Sequence, residues 1–97
     1  MKSCNTLEEL RTEIDAIDDK IVAMIGERNE YIKQASKFKK SVDEIKSSER
    51  IDTVVDRVRH KAVMMGMSPN MMAEVYTILI NEMVETEIAE FRNSGTF

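Results

Sequence analysis

Between Leu7 and Val42 apolar side chains recur at alternating steps of three and four, through Leu10, Ile14, Ile17, Ile21, Met24, Tyr31, Ala35 and Phe38. A heptad-like seam sustained for about five heptads belongs to a helix that packs along its length against other helices. Thr6 followed by Glu9 has the spacing of a capping box and marks the start. Gly26 interrupts the run, costs about 1 kcal/mol relative to Ala, and does not by itself break so long a helix. The spacing therefore predicts one continuous helix over residues 6–42.

Two further helices follow. Ile51, Val54, Val55, Val58, Ala62 and Met65 run into Gly66, a residue suited to a helix C-terminus. Ser68 and Pro69 supply an N-cap and a first-turn proline for a third helix that carries Met72, Val75, Tyr76, Leu79, Ile80, Met83, Val84, Ile88 and Phe91. That helix is expected to fray near Asn93–Gly95, and the polar stretch Ser41–Ser48 to be a mobile connection that closes over a ligand.

A 36-residue helix is about 54 Å long at 1.5 Å per residue. A compact chain of 97 residues has a radius of gyration of about 12.5 Å and a diameter nearer 30 Å. The two shorter helices cannot cover the whole seam, so the length arithmetic points to an intertwined homodimer of three-helix protomers.

Composition closes off other classes. With 3 Gly and 1 Pro against 42% hydrophobic and 33% charged residues, the chain lacks the turns of a β-sandwich or barrel and reads as all-α, one domain over 1–97. Cys4 is the single cysteine and the first residues have no apolar signal-peptide core, so no internal disulfide forms and a reducing cytoplasm is expected. No run of about 18 apolar residues is present to cross a membrane. The net charge of -4 argues against nucleic-acid binding, and one His with one Cys does not assemble a metal site.

Charges stand where the pattern asks for apolar groups. Arg28 occupies a seam position between Met24 and Tyr31. On a continuous helix Lys39 lies three turns plus roughly 20° further on, about 16 Å away on nearly the same face. Glu87 has Ile80, Met83, Val84, Ile88 and Phe91 around it, whereas Glu82 and Glu85 fall on the polar side. Buried charges cost several kcal/mol each unless paired or serving a ligand, so seam charges from two helices point to a polar pocket in the bundle. The same residues also fit a plainer account: Arg28 snorkels to solvent or pairs with Glu87, and Lys37, Lys39 and Lys40 form a solvated cluster. Arg11 by itself reads as a surface arginine. It stands about 42 Å from Lys39 along one helix, and the two share a ligand only across a dimer. His60, between Arg59 and Lys61, reads as surface, and the methionines at 64, 65, 67, 71 and 72 read as core packing around the turn.

The string Leu10-Arg11, Ile14-Asp15, Ile17-Asp18, then Arg28, Tyr31, Ala35-Ser36-Lys37-Phe38-Lys39 and Ser48-Glu49-Arg50 resembles the all-helical class of chorismate mutases over nearly the whole chain. The stretch from Tyr31 to Lys39 is similar to the isochorismate-pyruvate lyases that share this fold and form salicylate and pyruvate. The resemblance implies a dianionic small-molecule substrate, no cofactor, and an active site in each half of an intertwined homodimer. In it Arg28 binds one substrate carboxylate and Arg11 reaches the other from the partner chain. Lys39 donates to the ether oxygen and a carboxylate, Glu49 takes the ring hydroxyl, and Glu87 faces the ether oxygen from the second side. The implied reaction is the Claisen rearrangement of chorismate to prephenate in aromatic amino-acid biosynthesis.

Three departures bear on the substrate. Ile45 and Ser48 stand where many mutases carry an Asp and an Arg, Met83 stands where some carry a serine, and Glu87 stands where many carry Gln. The lyases also lack the first two polar groups. A carboxyl donates a hydrogen bond only when protonated, so the exchange at Glu87 predicts activity that falls as pH rises. Two non-mutase alternatives are a dimeric helical-bundle interaction module and a degenerate domain that binds substrate without turning it over.

Overall fold

The computed structural model describes residues 1–94, which hold four α-helices and no strand: α1 (Leu7–Ala35), α2 (Val42–Ile45), α3 (Ser48–Met64) and α4 (Pro69–Ser94), with a 3-10 turn at Ser36–Phe38. Three of the four are long, and α1 is the longest at 29 residues. The end of α4 at Ser94 bounds the expected fraying, and Gly95 lies outside the described residues.

The chain forms two compact units, Met1–Tyr31 and Ile32–Phe97. In the first, the capping box sets the start of α1: the Glu9 N–H donates to Thr6 Oγ1 at 3.1 Å and the Glu9 carboxylate accepts from the Asn5 N–H at 2.8 Å. The reciprocal bond falls one residue upstream of the cap itself. The seam of α1 is laid bare in the single chain, with no residue of the helix buried. Leu7, Leu10, Ile14, Ile17, Ile21 and Met24 are each between 46% and 63% exposed.

The sequence expectation of one helix over residues 6–42 is corrected at its C-terminal end. Ser36 Oγ donates to the Lys33 carbonyl at 2.6 Å, taking an acceptor that a continuing α-helix uses. The backbone tightens into the 3-10 turn, and Lys39 leaves it extended at φ −90, ψ 142. Lys39 is therefore not on the face of α1, and the helical-face and along-helix spacings from Arg28 and Arg11 do not hold. At 29 residues α1 is still about 44 Å long.

In the second unit α4 packs against the 3-10 turn, α2 and α3. A Schellman motif ends α3: the Met67 N–H donates to the Ala62 carbonyl at 2.8 Å and the Gly66 N–H to Val63 at 3.1 Å, with Gly66 at φ 72. Glycine enters this left-handed region without the steric cost a Cβ brings. Ser68 Oγ then accepts from the Met71 N–H at 3.2 Å to cap α4. With Arg59 hydrogen-bonded to Asn70 beside the turn and Ile51 beside Val84, α3 and α4 run antiparallel. Ala62, Ala73, Ile80, Met83 and Ile88 form the core of this hairpin, joined by Ile45 from α2. The alanines let the two backbones approach near the turn.

The connection Ser41–Ser48 holds the single turn α2, capped by Ser41 Oγ accepting from the Glu44 N–H and by the Glu44 carboxylate accepting from the Lys40 N–H, and anchored by buried Ile45. The methionines at 64, 65, 67 and 71 are exposed rather than packed in the core, because the tight Schellman turn projects them from the tip of the hairpin.

Candidate functional site

Glu87 is the one buried acidic side chain among the described residues, 5% exposed. Its burial follows from register: Ala73, Tyr76, Ile80, Met83 and Glu87 recur at steps of three and four along α4, so the carboxyl lies on the stripe that carries the core. Lys39 meets it from the extended residue after the 3-10 turn, with Nζ 3.5 Å from Glu87 Oε2. The Lys39 side chain remains 29% exposed.

That separation makes an ion pair and not a hydrogen bond, and Glu87 Oε2 accepts no hydrogen bond. Asn29 Oδ1 on α1 is the other such buried acceptor among the described residues. A buried polar atom left without a partner costs about 1–3 kcal/mol, so it is retained where it serves a ligand or a mechanism more readily than where it only packs. A half-exposed cation against a buried carboxyl gives two hydrogen-bonding groups converging in an apolar surround. Such an arrangement stabilises charge developing on an oxygen placed between or beside them.

The structure brings together Lys39 and Glu87 of the residues singled out in the sequence. Glu49 lies exposed in the first turn of α3, where its carbonyl accepts from Thr53 Oγ1 at 2.9 Å. Arg28 is half-buried and Arg11 exposed, both on α1 in the first unit. Of the positions that depart from the mutase pattern, Ile45 and Met83 are buried, at 5% and 6%, and Ser48 is exposed at the start of α3 beside the capping residue Ser47. His60 is exposed. Sequence reasoning passed over Ser36, a polar residue only 2% exposed and three residues before Lys39. Its signal was available, since a serine near a helix end competes for backbone carbonyls.

Two clefts line the α3–α4 hairpin. One, of about 460 Å³, is bordered by Arg59, Asn70, Ala73, Glu74, Thr77 and Ile78. The other, of about 390 Å³, is bordered by Lys46, Ile51, Asn81, Glu82, Val84 and Glu85. Neither contains the Lys39–Glu87 pair.

Comparison with known proteins adds a family. The pattern of chorismate mutase type II matches residues 10–88, a span that includes every residue singled out above for substrate. The isochorismate pyruvate lyase of Pseudomonas aeruginosa is 28% identical over 93 residues, covering 96% of this chain and 92% of that protein. The chorismate mutase of Methanocaldococcus jannaschii is 33% identical over 75 residues, 76% of each chain.

Proposed function

The chain belongs to the chorismate mutase type II family, and from that premise we propose that it is an isomerase that rearranges chorismate to prephenate, working as one helical domain over residues 1–97 in an intertwined homodimer. The observation that carries this reading is the buried Glu87 carboxyl, one oxygen without a hydrogen bond, facing Lys39 at 3.5 Å. The exposed seam of α1 supports the dimer, since a long apolar stripe on a single chain is a surface that a second copy covers.

In the rearrangement the carbon–oxygen bond of the enolpyruvyl ether breaks as a carbon–carbon bond forms to the ring, within one cyclic transition state. No nucleophile, metal or redox group takes part in the bond changes. The protein's task is to hold the compact diaxial conformer and to stabilise negative charge developing on the ether oxygen. In the proposed site Arg28 binds one carboxylate and Arg11 of the second copy binds the other. Lys39 donates to the ether oxygen and a carboxylate, Glu49 takes the ring hydroxyl, and Glu87 donates to the ether oxygen from its other side. The reaction fits aromatic amino-acid biosynthesis, the shikimate pathway, in a reducing cytoplasm. No described helix is long and apolar enough to cross a membrane.

A carboxyl donates a hydrogen bond only in its protonated form, whereas an amide donates at every pH, so Glu87→Gln is expected to hold or raise kcat/KM at neutral pH and to make it less dependent on pH. A pH–rate profile unchanged by the substitution counts against Glu87 at the ether oxygen.

The shared site is tested by mixing two inactive variants. Arg11→Ala and Lys39→Met, unfolded and refolded together, form heterodimers in which one site carries both lesions and the other carries none. Activity is expected to return in the mixture. Its absence, with exchange of chains verified by mass, contradicts a site built from two copies.

A second reading has its own support. The lyase relative matches 96% of the chain, and Ile45 presents a buried apolar side chain in α2 where many mutases place a charge. On that reading the same pocket eliminates pyruvate from isochorismate to leave salicylate.

A further inference from the structure

We infer that Ser36 is the positioning residue for Lys39: its buried hydroxyl ends α1 and fixes the 3-10 turn from which the lysine reaches Glu87. The inference rests on the proposed function for its effect on turnover, but its geometry stands on the second unit alone.

Ser36 is the most buried polar residue described, at 2% exposed. Its two oxygens perform separate tasks. Oγ donates to the Lys33 carbonyl at 2.6 Å, and the Ser36 carbonyl accepts the Lys39 N–H at 3.2 Å. The first bond draws the Lys33 carbonyl away from the role it has in a continuing helix. The second closes the turn on the residue that carries the cation. Ala35, the residue before the turn, contributes no side-chain cap.

The consequence is directional. Were α1 to continue, the backbone of Lys39 would be helical and rise with the axis. Instead it leaves at ψ 142, and the turn that releases it is packed on α4, the helix that bears Glu87. A lysine has four rotatable bonds and holds a functional position poorly unless its backbone is fixed. Fixing the backbone through a buried serine supplies the order that the side chain lacks. Replacement by alanine keeps the Cβ and removes only the hydroxyl, and with it the bond to the Lys33 carbonyl.

The test is Ser36→Ala beside Lys39→Met. In the protein without ligand, the side-chain carboxyl carbon of Glu87 is followed by NMR at fixed pH. Ser36→Ala is expected to move that signal toward its position in Lys39→Met, while Ser36→Thr, which keeps the hydroxyl, leaves it near the wild-type position. With chorismate, Ser36→Ala is expected to lower kcat by about 10- to 100-fold with a smaller change in KM, the size expected when a catalytic group is displaced by about 1 Å. Should Ser36→Ala not fold, Ser36→Cys carries the same comparison, because a thiol fills the site but donates weakly. A wild-type Glu87 signal in Ser36→Ala, or in Ser36→Cys where the alanine variant does not fold, overturns the inference. A wild-type enzyme inactive on chorismate and isochorismate sinks the proposed function instead and leaves the NMR comparison intact.

Discussion

Lys39→Met is expected to lower kcat for chorismate by at least about 10²- to 10³-fold, the range found when one donor to a developing oxyanion is removed. The loss falls on kcat more than on KM, because the charge on the ether oxygen is larger in the transition state than in the bound substrate. The same substitution removes the cation 3.5 Å from a carboxyl whose side chain is 6% exposed. Leaving that group wholly unpartnered costs about 1–3 kcal/mol, which urea unfolding reads directly. A variant that keeps turnover within tenfold of the wild type contradicts the placement of Lys39 at the reacting oxygen.

Arg28→Leu separates an enzyme from a structural bundle. Arg28 is half-buried on α1, in line with a stripe of Leu, Ile and Met side chains. If the helices serve only as an interaction module, leucine completes the stripe and unfolding moves to higher denaturant. If Arg28 binds a substrate carboxylate, truncating one partner of a desolvated charged hydrogen bond costs about 2–5 kcal/mol of binding, roughly 10²- to 10³-fold in kcat/KM. The expected result is a fall of that size, out of proportion to any change in the urea midpoint. Full turnover together with a raised midpoint contradicts the catalytic account and supports the bundle.

The helices were legible because their ends are written in side chains. Thr6 with Glu9, Gly66, and Ser68 with Pro69 each fix a terminus by a local hydrogen bond or a backbone preference, and the bonds are those the spacing called for. The end of α1 was not legible from apolar spacing, since Phe38 and Val42 keep the period past the point where Ser36 breaks the helix. Phe38 is 83% exposed there, so the apolar residue that prolonged the pattern does not contribute to the core. The methionines failed for a related reason. Their hydrophobicity is visible in the sequence, but which way a tight turn throws them is a property of the backbone.

At the site, a single acid on an apolar stripe was enough to find Glu87, because period and burial agree along α4. Lys39 stood out as a cation spaced from Arg28 to share its face on a continuous helix, a placement that does not survive the end of α1 at Ala35. The extended residue that carries it to Glu87 depends on Ser36, which periodicity passes over because a small polar side chain has no weight in an apolar pattern. Roles for Arg11, Arg28 and Glu49 came from resemblance to the family and not from spacing, since a charged residue on a helix face does not reveal its ligand. The proposed dimer rests on the length of α1 and its seam, 29 residues with none buried in the single chain.

The most direct measurement is product identification: the purified protein is incubated separately with chorismate and with isochorismate, and the products are resolved by chromatography and mass spectrometry. The account predicts catalytic formation of prephenate from chorismate, lost in Lys39→Met and in Arg28→Leu. Salicylate and pyruvate from isochorismate, with no prephenate from chorismate, or no product from either substrate, would contradict it.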